Sequence, residues 1–126
     1  GIGDYANSII TLKKALQFVI DHDFQKGVGF ANSCLGRQYM LMNEYDSAER
    51  FQQKALRQFN NIDCEYGMAT ANERLGVVFM TKNEFIKALK YFYVALNLNQ
   101  KLKLKHETGV SLYHIGLIKL YLADYK

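Results

Sequence analysis

The stretch "NSCLGRQYM" (residues 32–40) places Gly36 inside a segment whose other residues favour a helix. The same choice recurs at Gly76 in "NERLGVVFM" (72–80) and at Gly116 in "LYHIGLIKL" (112–120), forty residues apart. A glycine inside a helix costs about 1 kcal/mol relative to alanine. Because this cost recurs three times at one spacing, we interpret the glycines as sites where a second helix packs closely.

Apolar and small residues recur in further columns at the same forty-residue spacing. Self-similarity at a fixed period is the signature of a repeat protein, so we expect a stack of similar units. The columns are Leu35, Leu75 and Ile115 before the glycines, Tyr39 and Phe79 after them, then Tyr45 with Phe85, Ala48 with Ala88, and Ala55 with Ala95.

Each repeat is predicted to contain two helices. Asn43 and Asn83 precede the second helices and are interpreted as N-cap residues. Gly27 and Gly67 are interpreted as junctions between units. The predicted first helices span residues 28–42, 68–82 and 108–122, and the second helices span residues 44–61 and 84–102, with another second helix over residues 4–21.

The two helices of a unit are expected to form a hairpin that packs closely where small side chains meet. Gly36 is predicted to face Ala48, and Gly76 to face Ala88, with Tyr45 closing the hairpin. The alternative, that the glycines break the helices, would require turn-forming neighbours, which the surrounding residues are not.

Composition and charge narrow the class of protein. The 126 residues suit one domain, and the absence of proline favours continuous helices. The net charge of +4 is scattered along the chain, whereas a nucleic-acid surface requires clustered charge. No apolar run approaches the roughly 18 residues of a spanning helix. Unpaired Cys34 and Cys64 favour a reducing, cytoplasmic location.

The sequence offers no arrangement typical of a catalytic, metal or cofactor site. The cysteines and the three histidines lack metal-ligand spacing, and "KGVGF" (26–30) lacks the Lys-Ser or Lys-Thr pair of a phosphate-binding loop. His114 lies on a predicted first helix, where an ordinary surface role is favoured over a functional one. We therefore expect a chain that is not an enzyme and has no cofactor or metal.

The "LG" and "IG" pairs at 35–36, 75–76 and 115–116, with "EY..A" at 44–48 and "EF..A" at 84–88, resemble tetratricopeptide repeats. The resemblance covers the whole chain. It departs from the family at Asn32 and Asn72, in the missing proline, and in a unit longer than the usual 34 residues. The chain is similar to the long-period members of the family in bacterial sensor and regulator proteins, peptide-sensing transcription regulators and cell-polarity scaffolds.

This resemblance implies an all-α, right-handed solenoid of about six helices, with first helices on the concave face and second helices on the convex face. Such arrays bind partner segments and are not usually enzymes. The expected division is a half unit at 1–27, full units at 28–66 and 67–106, and a half unit at 107–126. The terminal "ADYK" resembles the opening of another second helix, so we expect a fragment of a longer array.

A partner-binding groove is predicted on the first helices, beside the Leu-Gly stripe. Asn32 and Asn72 are predicted to make local helix contacts, with the alternative that they hold the backbone of an extended peptide. Glu73 is expected to repel a terminal carboxylate. The predicted groove residues are Ser33, Arg37, Glu73, Arg74, Val77, Tyr113, His114 and Leu117.

Three functions remain open from the sequence. The leading one is a non-catalytic interaction module of a larger bacterial signalling or regulatory protein, with a protein or peptide partner and no direct contact with nucleic acid or membrane. The second is a sensor of a short signalling peptide, and the third is a structural spacer or self-assembly segment. The terminal helices are expected to expose apolar residues that favour head-to-tail association, namely Ile9, Leu12, Leu16, Ile115, Leu120 and Tyr121.

Overall fold

The computed structural model describes residues 2–124, with side chains from Gly3 onward, and within this range the chain is all-helical. The predicted all-α class is confirmed, and consecutive helices pack against one another. Tyr125 of the terminal "ADYK" lies outside the described residues. The helices are α1 (Ile2–Asp21), α2 (Gln25–Leu41), α3 (Tyr45–Asn61), α4 (Glu65–Thr81), α5 (Phe85–Lys101) and α6 (Lys105–Asp124).

Every turn between helices uses the same backbone motif. At the first-to-second-helix turn the N–H of Asn43 donates to the carbonyl of Met40 (3.0 Å), and the N–H of Glu44 donates to the carbonyl of Tyr39 (2.9 Å). These two bonds define the Schellman ending of a helix. Its left-handed position recurs every twenty residues, with φ between 53° and 62°, at Asp23, Asn43, Asp63, Asn83 and Lys103.

The N-cap interpretation of Asn43 and Asn83 is therefore wrong. Both residues end the preceding helix with positive φ, and Glu44 and Glu84 occupy the N-cap positions without a side-chain capping bond. Asparagine suits this place because its short polar side chain tolerates the left-handed conformation. Asn43 and Asn83 thus end the preceding helix and do not cap the next one.

The unit boundaries predicted at the glycines also differ from the structure. The first helices begin at Gln25, Glu65 and Lys105, so Gly27 and Gly67 lie inside α2 and α4. A Cβ atom at Gly27 would lie 3.0 Å from Cγ1 of Val19. These glycines therefore permit close contact between helices, and the chain reverses at the left-handed residues.

Lys103 is the exception among the left-handed residues, because the other four are Asp or Asn and a lysine does not favour a φ of 59°. The left-handed conformation costs a residue with a Cβ atom about 1–2 kcal/mol, and asparagine less. We expect Lys103→Asn to raise the free energy of unfolding by about 0.5–1 kcal/mol, measured by urea denaturation. Lys90→Asn, at an exposed position inside α5, removes the same charge and should give no gain. Equal effects of the two substitutions would refute the backbone explanation.

Two of the three glycines of the opening motif, Gly36 and Gly76, lie at close helix contacts, whereas a Cβ atom at Gly116 would meet nothing within 4 Å. A Cβ atom at Gly36 would lie 2.7 Å from Nε2 of Gln52, and one at Gly76 would lie 2.5 Å from Cε1 of Phe92. Ala48 and Ala88 are buried without being these nearest contacts. Gly36 and Gly76 therefore contact the second helix of their own unit, as predicted, and the nearest side chains lie four residues beyond Ala48 and Ala88.

The recurring columns supply the core as predicted. Residues at the leucine and alanine positions are completely buried, and the aromatic residues after the glycines join the same clusters. Two residues expected to be exposed at the ends, Ile9 and Ile115, are instead buried, because α1 packs against α2 and α6 packs against α4 and α5. Leu120 and Tyr121 are exposed as expected.

Candidate functional site

The first helices come together on one side of the molecule. The backbones of the first helices contact one another, α2 against α4 and α4 against α6. Within residues 2–124, the backbones of the second helices α1, α3 and α5 do not contact one another. Between α3 and α5 the side chains meet, as where Nε2 of Gln53 donates to the Tyr91 hydroxyl (3.1 Å). We call the surface formed by α2, α4 and α6 the groove.

The first part of the groove is a single cleft between α2 and α4. The α2–α4 cleft, of about 250 Å³, contains Arg37, Arg74 and Val77 from the predicted groove residues. Met40 and Leu41 complete its apolar wall. Three of the residues predicted from the sequence therefore line one cavity.

A chain of buried hydrogen bonds holds Arg74 in place. Nη1 of Arg74 donates to the Ser33 hydroxyl (2.7 Å), which donates to Oε1 of Gln52 (2.8 Å). Nε2 of Gln52 in turn donates to the backbone carbonyl of Ser33 (2.8 Å). Ser33 is completely buried, so it does not line the groove as predicted. Its role in the structure is to anchor the guanidinium of Arg74.

The charge of Arg74 is not balanced by a nearby acid. Among residues 2–124, no carboxylate forms a salt bridge with its guanidinium. Burial lowers the pKa of Arg74, the Cys34 side chain opposes that shift, and the positive charge of Arg37 lowers the pKa further. An arginine nevertheless stays protonated at neutral pH. The groove therefore presents a partly desolvated cation without a carboxylate partner.

A second cleft, of about 170 Å³, lies between α4 and the start of α6. Arg74 and Glu73 both line it, together with Tyr66, Thr70 and His106. Arg74 thus lies at the wall shared by the two clefts. A ligand in either cleft would be within reach of its guanidinium.

Glu73 points its carboxylate toward α6. Nδ1 of His114 lies 2.5 Å from Oε2 of Glu73, and the Ser111 hydroxyl donates to Oε1 (2.5 Å). The His114 ring stacks on Phe92 with a centroid distance of 4.8 Å, and the side chains of His114 and Glu73 are each 17% exposed. The Glu73 carboxylate is therefore held by hydrogen bonds from α6.

The remaining predicted residues are spread apart. Tyr113 is 65% exposed on the outer side of α6, and Leu117 lines a separate cavity with Met80 and Tyr121. The amides of Asn32 and Asn72 donate to the carbonyls four residues earlier, those of Val28 (3.0 Å) and Met68 (2.8 Å). The local-contact interpretation of the two asparagines is confirmed.

Three buried polar residues that support the site were missed from the sequence. Gln52 anchors Ser33, and Nδ2 of Asn99 donates to the Ser111 hydroxyl (3.2 Å), which holds Glu73. Gln52 stands where the next repeat has Phe92, and Asn99 stands where the previous repeat has Phe59. A polar residue in an otherwise apolar column was the signal that could have revealed them.

The chain shows no arrangement for metal binding and no membrane helix within its described part. No group of three or more His, Cys, Asp or Glu side chains in residues 2–124 is placed to hold a metal ion. Over the same residues, none of the helices has both the length and the hydropathy needed to cross a bilayer. Neither a protein-family model nor a curated protein sequence matches this chain.

Proposed function

We propose that this chain is a non-catalytic protein–protein interaction module that binds a segment of a partner protein in the groove formed by α2, α4 and α6. The resemblance to tetratricopeptide repeats favours this function and suggests a larger cytoplasmic, bacterial signalling or regulatory protein as its setting. The observation that carries the proposal is Arg74, a partly buried cation at the wall between two clefts, anchored through Ser33 and without a carboxylate partner in residues 2–124.

The chemistry of the α2–α4 cleft favours a partner with an acidic group beside an apolar side chain. Arg37 and Arg74 offer two guanidinium groups, which bind carboxylates through paired hydrogen bonds. Met40, Leu41 and Val77 offer an apolar wall next to them. Because Arg74 is already partly desolvated and held in place, a carboxylate that binds it gains a charge-assisted bond at a reduced ordering cost.

A randomised dodecapeptide library displayed on phage tests the predicted partner chemistry. We expect the selected peptides to be enriched in Asp or Glu next to Leu, Ile or Phe. Synthetic labelled versions should bind the folded chain, with Kd measured by fluorescence anisotropy. Replacement of the acidic residue by its amide should weaken binding, because a hydrogen bond between charged groups is worth about 1.5–3 kcal/mol.

Substitutions on the protein test where the peptides bind. We expect Arg37→Glu and Arg74→Gln each to raise Kd by about tenfold or more, since each removes a charge partner. Lys54→Glu, on the opposite side of the molecule, is the matched control and should change Kd by less than about twofold. Peptides without acidic enrichment, or a Lys54→Glu effect equal to that of Arg37→Glu, would contradict the proposal and favour the structural-spacer alternative.

A further inference from the structure

Within residues 2–124, no helix covers the outer face of α6 in the way that α3 covers this face of α2 and α5 covers this face of α4. The notches at Gly36 and Gly76 are filled by Gln52 and Phe92, but a Cβ atom at Gly116 would meet nothing within 4 Å. The same face exposes large apolar side chains, with Leu112 51% and Leu120 59% exposed. The α6 face is thus a first-helix face without its second helix.

The helix α1 has the complementary property. Ala15 is exposed, whereas the alanines at the same repeat position, Ala55 and Ala95, are completely buried. Leu12 occupies the repeat position of Gln52 and Phe92, the residues that fill the glycine notches. The outer face of α1 is therefore a second-helix face without its first helix.

We propose that the outer face of α6 binds the outer face of α1 of a second copy of this chain. The internal hairpins specify the register of this contact. Leu12 of the second copy takes the place over Gly116 that Gln52 takes over Gly36 and that Phe92 takes over Gly76. Ala15 of the second copy becomes buried as Ala55 and Ala95 are.

The charges at the two faces match this register. In the internal hairpin of α4 and α5, Nζ of Lys101 lies 2.6 Å from Oε2 of Glu65. The residues at the same repeat positions across the proposed contact are Asp21, on the second copy, and Lys105. The pair has the opposite polarity and is again complementary, so a contact seen within the chain is reproduced between chains with its charges exchanged.

The contact joins two different surfaces, so a dimer with one such contact leaves one α6 face and one α1 face free. A head-to-tail contact of this kind does not stop at a dimer unless the assembly closes into a ring. The weight-average mass of the wild-type chain should therefore rise with concentration past that of a dimer in sedimentation equilibrium. A mass that stays at the monomer, or that stops at the dimer, would overturn the proposal.

Variants at the two faces test the register. Ala15→Arg places a charge in the proposed contact and should weaken association by about tenfold or more, as should Gly116→Arg. Neither position is packed within the single chain, so folding, followed by circular dichroism, should be unchanged. Ala6→Arg is the matched control, because Ala6 and its repeat counterparts Asp46 and Ile86 are all exposed. An equal effect of Ala6→Arg would refute the register.

Two further measurements separate this contact from non-specific association. The Ala15→Arg variant keeps a free α6 face and the Gly116→Arg variant keeps a free α1 face, so their equimolar mixture should form a one-to-one dimer and nothing larger. Asp21→Lys and Lys105→Asp should each weaken association, and the double variant should restore it. A mixture that stays monomeric, or a double variant weaker than both single ones, would overturn the proposal.

Discussion

Replacement of Phe59 by alanine should lower the free energy of unfolding by about 3–5 kcal/mol, the range typical of a core phenylalanine. Phe59 lies on α3, is completely buried, and packs against Gly29 of α2 and Gly67 of α4. Its ring also packs edge-on against Phe30 with a centroid distance of 4.8 Å. One side chain therefore joins three helices, and the glycines beside it have no side chains that could fill the cavity.

Urea denaturation of the variant and the wild-type chain measures this loss. Phe18→Ala is the matched control, because Phe18 is 55% exposed and its removal should cost less than about 1 kcal/mol. Equal losses for the two substitutions would mean that Phe59 does not hold the helices together. The large loss is expected because the alanine leaves a cavity between rigid backbones.

A second substitution at Gly29 makes the explanation sharper. In the wild-type chain, a Cβ atom at Gly29 would lie 2.5 Å from Cε1 of Phe59, so Gly29→Ala should destabilise the protein. In the Phe59→Ala background the same methyl group enters vacated space and also improves helix propensity by about 1 kcal/mol, so it should stabilise the protein. A change of the same sign in both backgrounds would exclude a direct contact between ring and glycine.

The number and order of the helices could be predicted from the sequence because the repeating columns report burial, and burial repeats with the fold. The helix ends could not be predicted equally well. The chain reverses at single left-handed residues, and Asp23, Asn43 and Asp63 carry that information only through their tolerance of positive φ. The unit boundaries were predicted at Gly27 and Gly67 instead, although these glycines lie inside helices and permit close helix packing.

The candidate site was predicted in part for a similar reason. Position on a first helix was enough to select Arg37 and Arg74, since both lie beside the Leu-Gly stripe on neighbouring helices that meet in one cleft. The burial of Ser33 and its bond with Gln52 depend on contacts between residues far apart in sequence. A pattern along one helix does not report such contacts, so the anchor of Arg74 became visible only in the structure.

The close contact at Gly76 should make this position intolerant of any larger residue. A Cβ atom there would lie 2.5–2.8 Å from three atoms of the Phe92 ring. The ring is completely buried and is held on its other side by His114, which is bonded to Glu73. We expect Gly76→Leu to lower the free energy of unfolding by about 1–3 kcal/mol or more, since the ring has little freedom to move away.

The repeat provides two matched comparisons for this substitution. Gly36→Leu should also destabilise the chain, because its nearest atoms belong to the Gln52 side chain, which is buried and hydrogen-bonded to Ser33. Gly116→Leu meets open space and should stabilise the chain by about 0.5–1 kcal/mol through helix propensity alone. Urea denaturation at low protein concentration, where self-association is negligible, would rank the three variants. Equal midpoints would show that the glycines are not helix-contact positions. Destabilisation at Gly36 and Gly76 together with stabilisation at Gly116 would show that the glycine is required only where a second helix packs on it.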